Sequence, residues 1–391
     1  MNDIQRGILN LIRSAITGQP IPLPAGFRLE DAEKLINSHQ IHGLAYEGAV
    51  LCGIPKTDPV MGRLFQKYCQ LILRDHTQMT ALEKLYAAFE ENGIDYLPVK
   101  GCVLKELYPN PAMRTMGDAD VLIRMEQYAQ ICAIVEDLGY TLGGEADHAI
   151  PWQHKDLLIE LHRSLIPSFQ TKEYQYFKDV WQRAVPAGGY RFGLSQTDFF
   201  IFIFLHYVKH YRDGGIGLRQ LTDLWILQTL HPEMDMELIR GEIEKLNLLQ
   251  FFDYTQQMLR VWFMDEIPDQ RMLYMTEYIF SSGSWGTAEN AAVSHALRIA
   301  AEEGSNKKAR GKLFVKALFP SATEMAGRYP VLHKAPWLTP VFWPYRWVTA
   351  ALFRKENIRK CGTKIAQASD ENMQARQQAL SYVGLDFSSY Q

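Results

Sequence analysis

The texture of this chain changes at Ile94 and changes back near Thr197, and that pair of boundaries constrains the fold more than any other feature. Upstream, Leu64, Tyr68, Leu71, Met79, Leu82, Leu85, Tyr86 and Phe89 recur mostly three or four residues apart. That is the spacing of a helix with one buried face, and Asn92-Gly93 stops it. Downstream of Thr197 the helical pattern runs almost to the end, broken by prolines at 320, 330, 336, 340 and 344. Between the boundaries lie short β-type runs. IDYLPVK reads as a strand in which Pro98 belongs at an edge or a bulge. CVLKELY reads as a short helix broken by PNP, and DADVLIR as a second strand. Met125–Leu138 has helical spacing closed by Gly139, and another strand begins at Tyr140. In DLLIELHR, a period of two sets Leu158, Glu160 and His162 on one face. Asp147, His148 and His154 read as loop residues before it. The pattern predicts an α+β fold with a small mixed sheet. Residues 1–93 form an N-terminal helical segment, 94–190 the sheet-bearing core and 191–391 a C-terminal helical domain. A length of 391 residues agrees with more than one core, since single cores stop growing at about 250 to 300 residues.

With 47% hydrophobic and 22% charged residues the composition is that of an ordinary globular protein. The five cysteines, Cys52, Cys69, Cys102, Cys132 and Cys361, have no zinc spacing and read as free thiols of a reducing compartment. MNDIQRGILNLIRSAITG is amphipathic and lacks a basic n-region, so a cytoplasmic location is expected. Phe199–Leu205 and Val341–Phe353 fall short of the ~20 apolar residues that cross a bilayer, so no transmembrane segment is expected. Net charge is −3, but residues 305–364 hold thirteen Lys or Arg against Glu324 and Glu356, a net of +11 that leaves −14 on the rest. The same stretch contains PVFWPYRWVTAALF followed by Arg354, Lys355, Arg359 and Lys360. It reads either as an interfacial segment or as a positive subdomain packed by its aromatic residues.

The chemistry concentrates around Asp118 and Asp120. Two apart at the mouth of a strand, their carboxylates leave one face and can share a metal ion. Glu160, on a separate strand, is placed to complete a three-carboxylate set for two magnesium or manganese ions. Such ions draw an acceptor oxygen toward attack and grip a nucleoside triphosphate with its pyrophosphate leaving group. Lys100-Gly101 joins a strand to a helix start, where backbone N–H groups favour phosphate. Arg114, on the loop before Gly117-Asp118, is a candidate phosphate donor. Solvated at a strand end, Asp120 should be removable with little change in stability.

The segment LPVKGCVLKELYPNPAMRTMGDADVLIR, followed by IELHRSL, resembles an uncharacterised nucleotidyltransferase family of the DNA polymerase beta-like superfamily. Its pattern is a Lys-Gly turn, a Tyr-Pro loop, Arg-x-x-Gly-Asp-x-Asp and a later Glu-Leu-His. The resemblance continues through LHYVKHYRDGGIGLRQLTDL and ALFPSATEMAGRYPVLHKAPWLTPVFWPYRW. It implies that Asp118 and Asp120 are the paired metal ligands and Glu160 the third carboxylate. Lys100, Gly101, Arg114 and Gly117 then border the nucleotide, with Lys100-Gly101 standing where the superfamily usually has a Gly-Ser turn. The implied reaction moves a nucleoside monophosphate from the triphosphate to an unidentified small-molecule or protein acceptor. Overall acidity argues against a nucleic-acid acceptor.

Five further residues carry two readings each. His162 either orients Glu160 and works near the acceptor or makes a cross-strand hydrogen bond. His206 and His210, four apart on a helix, are spaced like metal ligands, but no Glu follows His206 to make a metalloprotease motif. The alternative is a partly buried pair lining the cleft or a domain seam. Arg219 and Asp223 form a surface ion pair or turn toward the nucleotide. Two rival functions also stand: a nucleotide-binding protein without turnover, and a scaffold or membrane-surface protein acting through the basic segment. The sequence leaves the nucleobase and the oligomeric state open.

Overall fold

The computed structural model describes residues 1–143, 148–326, 328–353, 362 and 366–387. Asp147, Arg354, Lys355, Arg359, Lys360 and Cys361 therefore lie outside the described residues. The described part divides into two compact units, one of residues 1–210 with 216–285 and one of residues 211–215 with 286–391.

The first unit begins with helices α1 (Asp3–Thr17), α2 (Leu29–His39), α3 (His42–Leu51) and α4 (Pro59–Glu91). A capping box between Asn2 and Gln5 starts α1. Asp58 caps α4 with Pro59 in its first turn, and Gly93 at φ 67° follows its end. Next come β1 (Tyr96–Val99), the four-residue helix α5 (Gly101–Leu104), β2 (Ala119–Ile123), α6 (Tyr128–Asp137), β3 (Thr141–Leu142), β4 (Ala149–Gln153) and β5 (Leu158–His162). The five strands form one mixed sheet in the order β1-β2-β5-β4-β3, in which β2 and β5 run parallel and the other neighbours antiparallel. Alternation splits the sheet into two faces. Val121, Ile123, Ile159 and Leu161 join Leu82, Leu85 and Phe89 of α4 and Ile131 and Val135 of α6 in a core cluster. The opposite face carries Asp120, Glu160 and His162.

β1 and its Pro98 lie on the sheet edge, as expected. Two strand features differ from expectation. Ala149–Gln153 forms β4 although Pro151 interrupts its sequence; Pro151 gives no N–H to the ladder, but its carbonyl accepts the Gly143 N–H at 2.9 Å just past the end of β3. A two-stranded ribbon, β6 (Val185–Pro186) with β7 (Phe192–Gly193), also forms.

Helices α7 (Thr171–Phe177) and α8 (Val180–Arg183) precede this ribbon, and α9 (Gln196–Asp213) and α10 (Leu218–Leu230) follow it. Arg13 binds Asp265 with two 2.8 Å bonds and Gln5 reaches Glu277 at 2.8 Å, tying α1 to the later helices of the same unit. In the second unit Arg376 anchors the helix Asp370–Tyr382 through the Tyr211 carbonyl at 2.8 Å and Ser294 Oγ at 3.3 Å. There Met325, Ala326 and Leu332 form a small core against Tyr329, Leu338, Phe342 and Trp343. Among the described residues no helix is long and apolar enough to cross a membrane. Cys52, Cys69, Cys102 and Cys132 are free.

Candidate active site

The parallel register of β2 and β5 sets Asp120 directly opposite Glu160, so the two carboxylates leave the same face of adjacent strands. His162, two residues on, donates from Nε2 to Asp120 Oδ1 at 2.8 Å and lies 3.6 Å from Glu160 Oε2. The cross-strand hydrogen bond is therefore present. With its proton on Nε2, the buried Nδ1 is left without a hydrogen-bond partner among the described residues. The His148 ring lies 5.4 Å away, centroid to centroid. Asp118 sits just before β2 and is half-buried.

Lys100 follows β1 with φ 49° and ψ −118°, a conformation that residues other than glycine rarely adopt. From there its ammonium donates to Asp120 Oδ1 at 2.6 Å. Gly101 is required by space: a Cβ there would fall 2.9 Å from Met116 Cγ and 3.2 Å from Arg114 Nη1. Asp120 is only 3% exposed, contrary to the solvated strand end expected of it. Burial works to raise its pKa, but Lys100 and His162 override that and hold the carboxyl well below the usual range. The opposite holds for Asp118, which burial and the neighbouring Asp120 and Glu160 charges push up to about 6.

Arg114 is buried and donates from Nε and Nη2 to the two oxygens of Asp223 on α10, at 2.7 and 2.9 Å. Tyr108 adds a third bond to the same carboxylate at 2.7 Å. Asp223 thus pairs with a residue 109 positions away and not with Arg219 one turn before it. The loop carrying Arg114 packs on α10 and presents a planar fork that a carboxylate accepts in two places. Arg219 turns the other way, and its Nη1 donates to both the carbonyl and the hydroxyl of Thr115 at 2.8 Å.

His206 and His210 lie on α9 with rings 4.4 Å apart, edge to face. Burial first, then neighbouring positive charge including Lys100, keeps both neutral, His210 down to about 3. Their coupling to Lys100 places this pair within electrostatic reach of the carboxylates. Gly117 is exposed, and a Cβ on it would touch the indole Cη2 of Trp285 at 3.9 Å. Trp285 escaped the sequence reading. Its only signal is an aromatic residue between two glycines, in SGSWG, where the helical pattern pauses.

Asp120, Glu160 and His162 each offer a ligand atom, all within 4.8 Å of one another. Two carboxylates and an imidazole suit a divalent cation: manganese accepts the nitrogen readily, while magnesium favours the oxygens. The mixed sheet thus gathers donors suited to a divalent cation beside a Lys-Gly turn. The chain belongs to the uncharacterised nucleotidyltransferase family, whose profile matches residues 26–264. Comparison with curated proteins finds no match. Among solved structures the chain is similar to the antibiotic-resistance factor ANT(2'')-Ia. Its solution structure is 18% identical over 49% of this chain and 100% of that one, with a TM-score of 0.32. A crystal structure of ANT(2'')-Ia in complex with adenylyl-2''-tobramycin is 16% identical over 43% and 95%, with a TM-score of 0.33.

Proposed function

We propose that the protein transfers a nucleoside monophosphate from a nucleoside triphosphate to the hydroxyl of a small-molecule or protein acceptor, with release of pyrophosphate. The observation that carries this reading is the register of Asp120 against Glu160, with His162 and Lys100 both bonded to Asp120. Residues 94–190 supply the catalytic groups, and helices of 191–391 supply His206, His210, Arg219 and Asp223.

Asp118, Asp120 and Glu160 are the ligands of divalent magnesium or manganese, with His162 as a further donor or as the group that orients Asp120. When bound, the metal supplies neutralisation of the triphosphate and polarisation of the acceptor oxygen. Lys100, now bonded to Asp120, is placed to transfer its charge to a phosphate oxygen once that carboxylate has another cation to answer. Gly101, with no side chain, lets the backbone of the turn approach the triphosphate. Gly117 keeps the approach to Asp118 open. Arg114 acts through Asp223, fixing the loop that leads to Asp118. In the transfer the acceptor oxygen bonds to the α-phosphorus, the α–β bridging bond breaks and pyrophosphate carries away the electron pair. The acceptor's proton leaves to water, since burial makes His206 and His210 too weakly basic to hold it.

Isothermal titration of ATP, GTP, CTP and UTP with each metal tests the reading. At least one should bind in a metal-dependent way and, with its acceptor, release pyrophosphate. No heat and no thermal shift with any of the four would overturn it.

A further inference from the structure

Trp285 is 62% exposed, yet the turn that carries it is firmly held. Gly283 ends the helix Gln270–Ser282 at φ 65° and ψ −173°, a region open in practice only to glycine. Ser284 donates its N–H to the Ser38 carbonyl at 2.9 Å. A Cβ on Gly217 would lie 2.9 Å from Ser284 Cα, so the start of α10 closes tightly on the same turn. Strain and close packing together keep a large flat ring in solvent.

The ring stands in a particular place. Its Cη2 faces Gly117, whose Cα is one step, about 3.8 Å, from that of Asp118. On another side the Arg219 guanidinium carbon lies 5.8 Å from the ring centroid. Among the described residues Arg219 hydrogen-bonds through Nη1, and its buried Nε has no acceptor. A flat exposed ring and a guanidinium thus meet beside the turn that leads into Asp118. We propose that Trp285 and Arg219 form the nucleobase site, the indole stacking on the base of the triphosphate and Arg219 donating to the base edge. A nucleotide carries its base one sugar away from its phosphates, and Trp285 lies just beyond the residues assigned to those phosphates. The inference rests on the nucleotidyl-transfer reading.

The test titrates the full-length protein, with manganese present, against ATP, GTP, CTP, UTP and inorganic tripolyphosphate, as wild type, Trp285→Ala, Trp285→Phe and Arg219→Lys. Loss of one base–aromatic stack should weaken the best nucleoside triphosphate about tenfold in Trp285→Ala. Trp285→Phe should weaken it less, and tripolyphosphate should bind all variants alike. Arg219→Lys, which keeps the charge and loses the fork, should change the ranking of the four bases. Thermal melts of the tryptophan variants should match wild type, because the ring is exposed. Unchanged nucleotide affinity in Trp285→Ala overturns the inference and leaves the transfer reading standing. An equal loss for nucleotide and tripolyphosphate also overturns it, assigning Trp285 to the shape of the Gly117–Asp118 turn. Wild-type protein that binds none of the five probes removes the transfer reading and this inference together, a result that needs no variant.

Discussion

Asp120 and Asp223 are buried to the same degree, 3% and 2% exposed, and each meets a cation. Their surroundings differ. Asp223 has one guanidinium bonded to both its oxygens and a tyrosine hydroxyl to finish the set, a neutral and saturated group. Asp120 shares one lysine with Glu160 and Asp118, which leaves the cluster with surplus negative charge, and its histidine partner has an unmatched nitrogen. Burial alone therefore does not mark a functional carboxylate. Unbalanced charge beside an unsatisfied donor or acceptor is the better sign, because a bound cation or ligand can complete such a site.

The largest effect should come from Asp120→Asn, which keeps the shape and removes the charge. Metal-dependent triphosphate binding by calorimetry should weaken by about a hundredfold, and binding equal to wild type would break the assignment. Some stability should be lost as well, since Lys100 then loses its charge-assisted bond of 2.6 Å to a carboxylate oxygen.

Arg114→Ala attacks the saturated cluster and should show mainly as instability, of about 3–5 kcal/mol in denaturant unfolding, because Asp223 stays buried without its partner. Replacing both residues together, as Arg114→Met with Asp223→Leu, should recover most of that loss. A single variant as stable as wild type would show that Asp223 is not anchored by Arg114.

Metal sharpens the contrast. At a hundredfold excess over its dissociation constant, manganese should stabilise wild type by about 2.7 kcal/mol. The increment should persist in Arg114→Ala from a lower starting point and shrink in Glu160→Gln. An undiminished increment in Glu160→Gln would remove Glu160 from the metal site.

The smallest effect concerns Asp118, whose folded pKa of about 6 exceeds the unfolded value of ~3.9. A raised carboxyl pKa means that the favourable contribution is complete at low pH and is lost as pH rises through 6. At neutral pH and without metal its charge is therefore destabilising, by roughly 1 kcal/mol after solvent screening. Asp118→Asn should melt about 2 °C above wild type at pH 7.5, with the gap closing toward pH 4. A gap that widens on acidification would show that the sign is wrong.

The contrast between the clusters also explains what could be read from the sequence. Asp118, Asp120, Glu160 and His162 were legible because strand alternation is local: residues two apart share a face wherever the strand lies. Their grouping was expected from the order of the motifs, but the Asp120–Glu160 register that makes it spans forty residues and is set by tertiary packing. The burial of Asp120 was not legible, because it depends on the turn at Lys100. Arg114 read as a phosphate donor and Asp223 as the partner of Arg219 or a nucleotide-facing residue, because nothing local links positions 109 apart. β4 was hidden by Pro151, a residue that counts against a strand because it donates nothing to the ladder.

Pro98 was readable as an edge residue, and its place in β1 has a consequence for how molecules of this protein meet. In a four-residue strand paired with β2 on one side, alternate N–H groups point outward. Tyr96 donates its N–H to the Tyr190 carbonyl at 3.1 Å, and Pro98, the next outward position, has none. This rim of the sheet therefore offers no free N–H to an incoming strand. Edge-to-edge pairing, the common route from an open sheet to aggregates or swapped dimers, thus finds no donor on the outer side of β1.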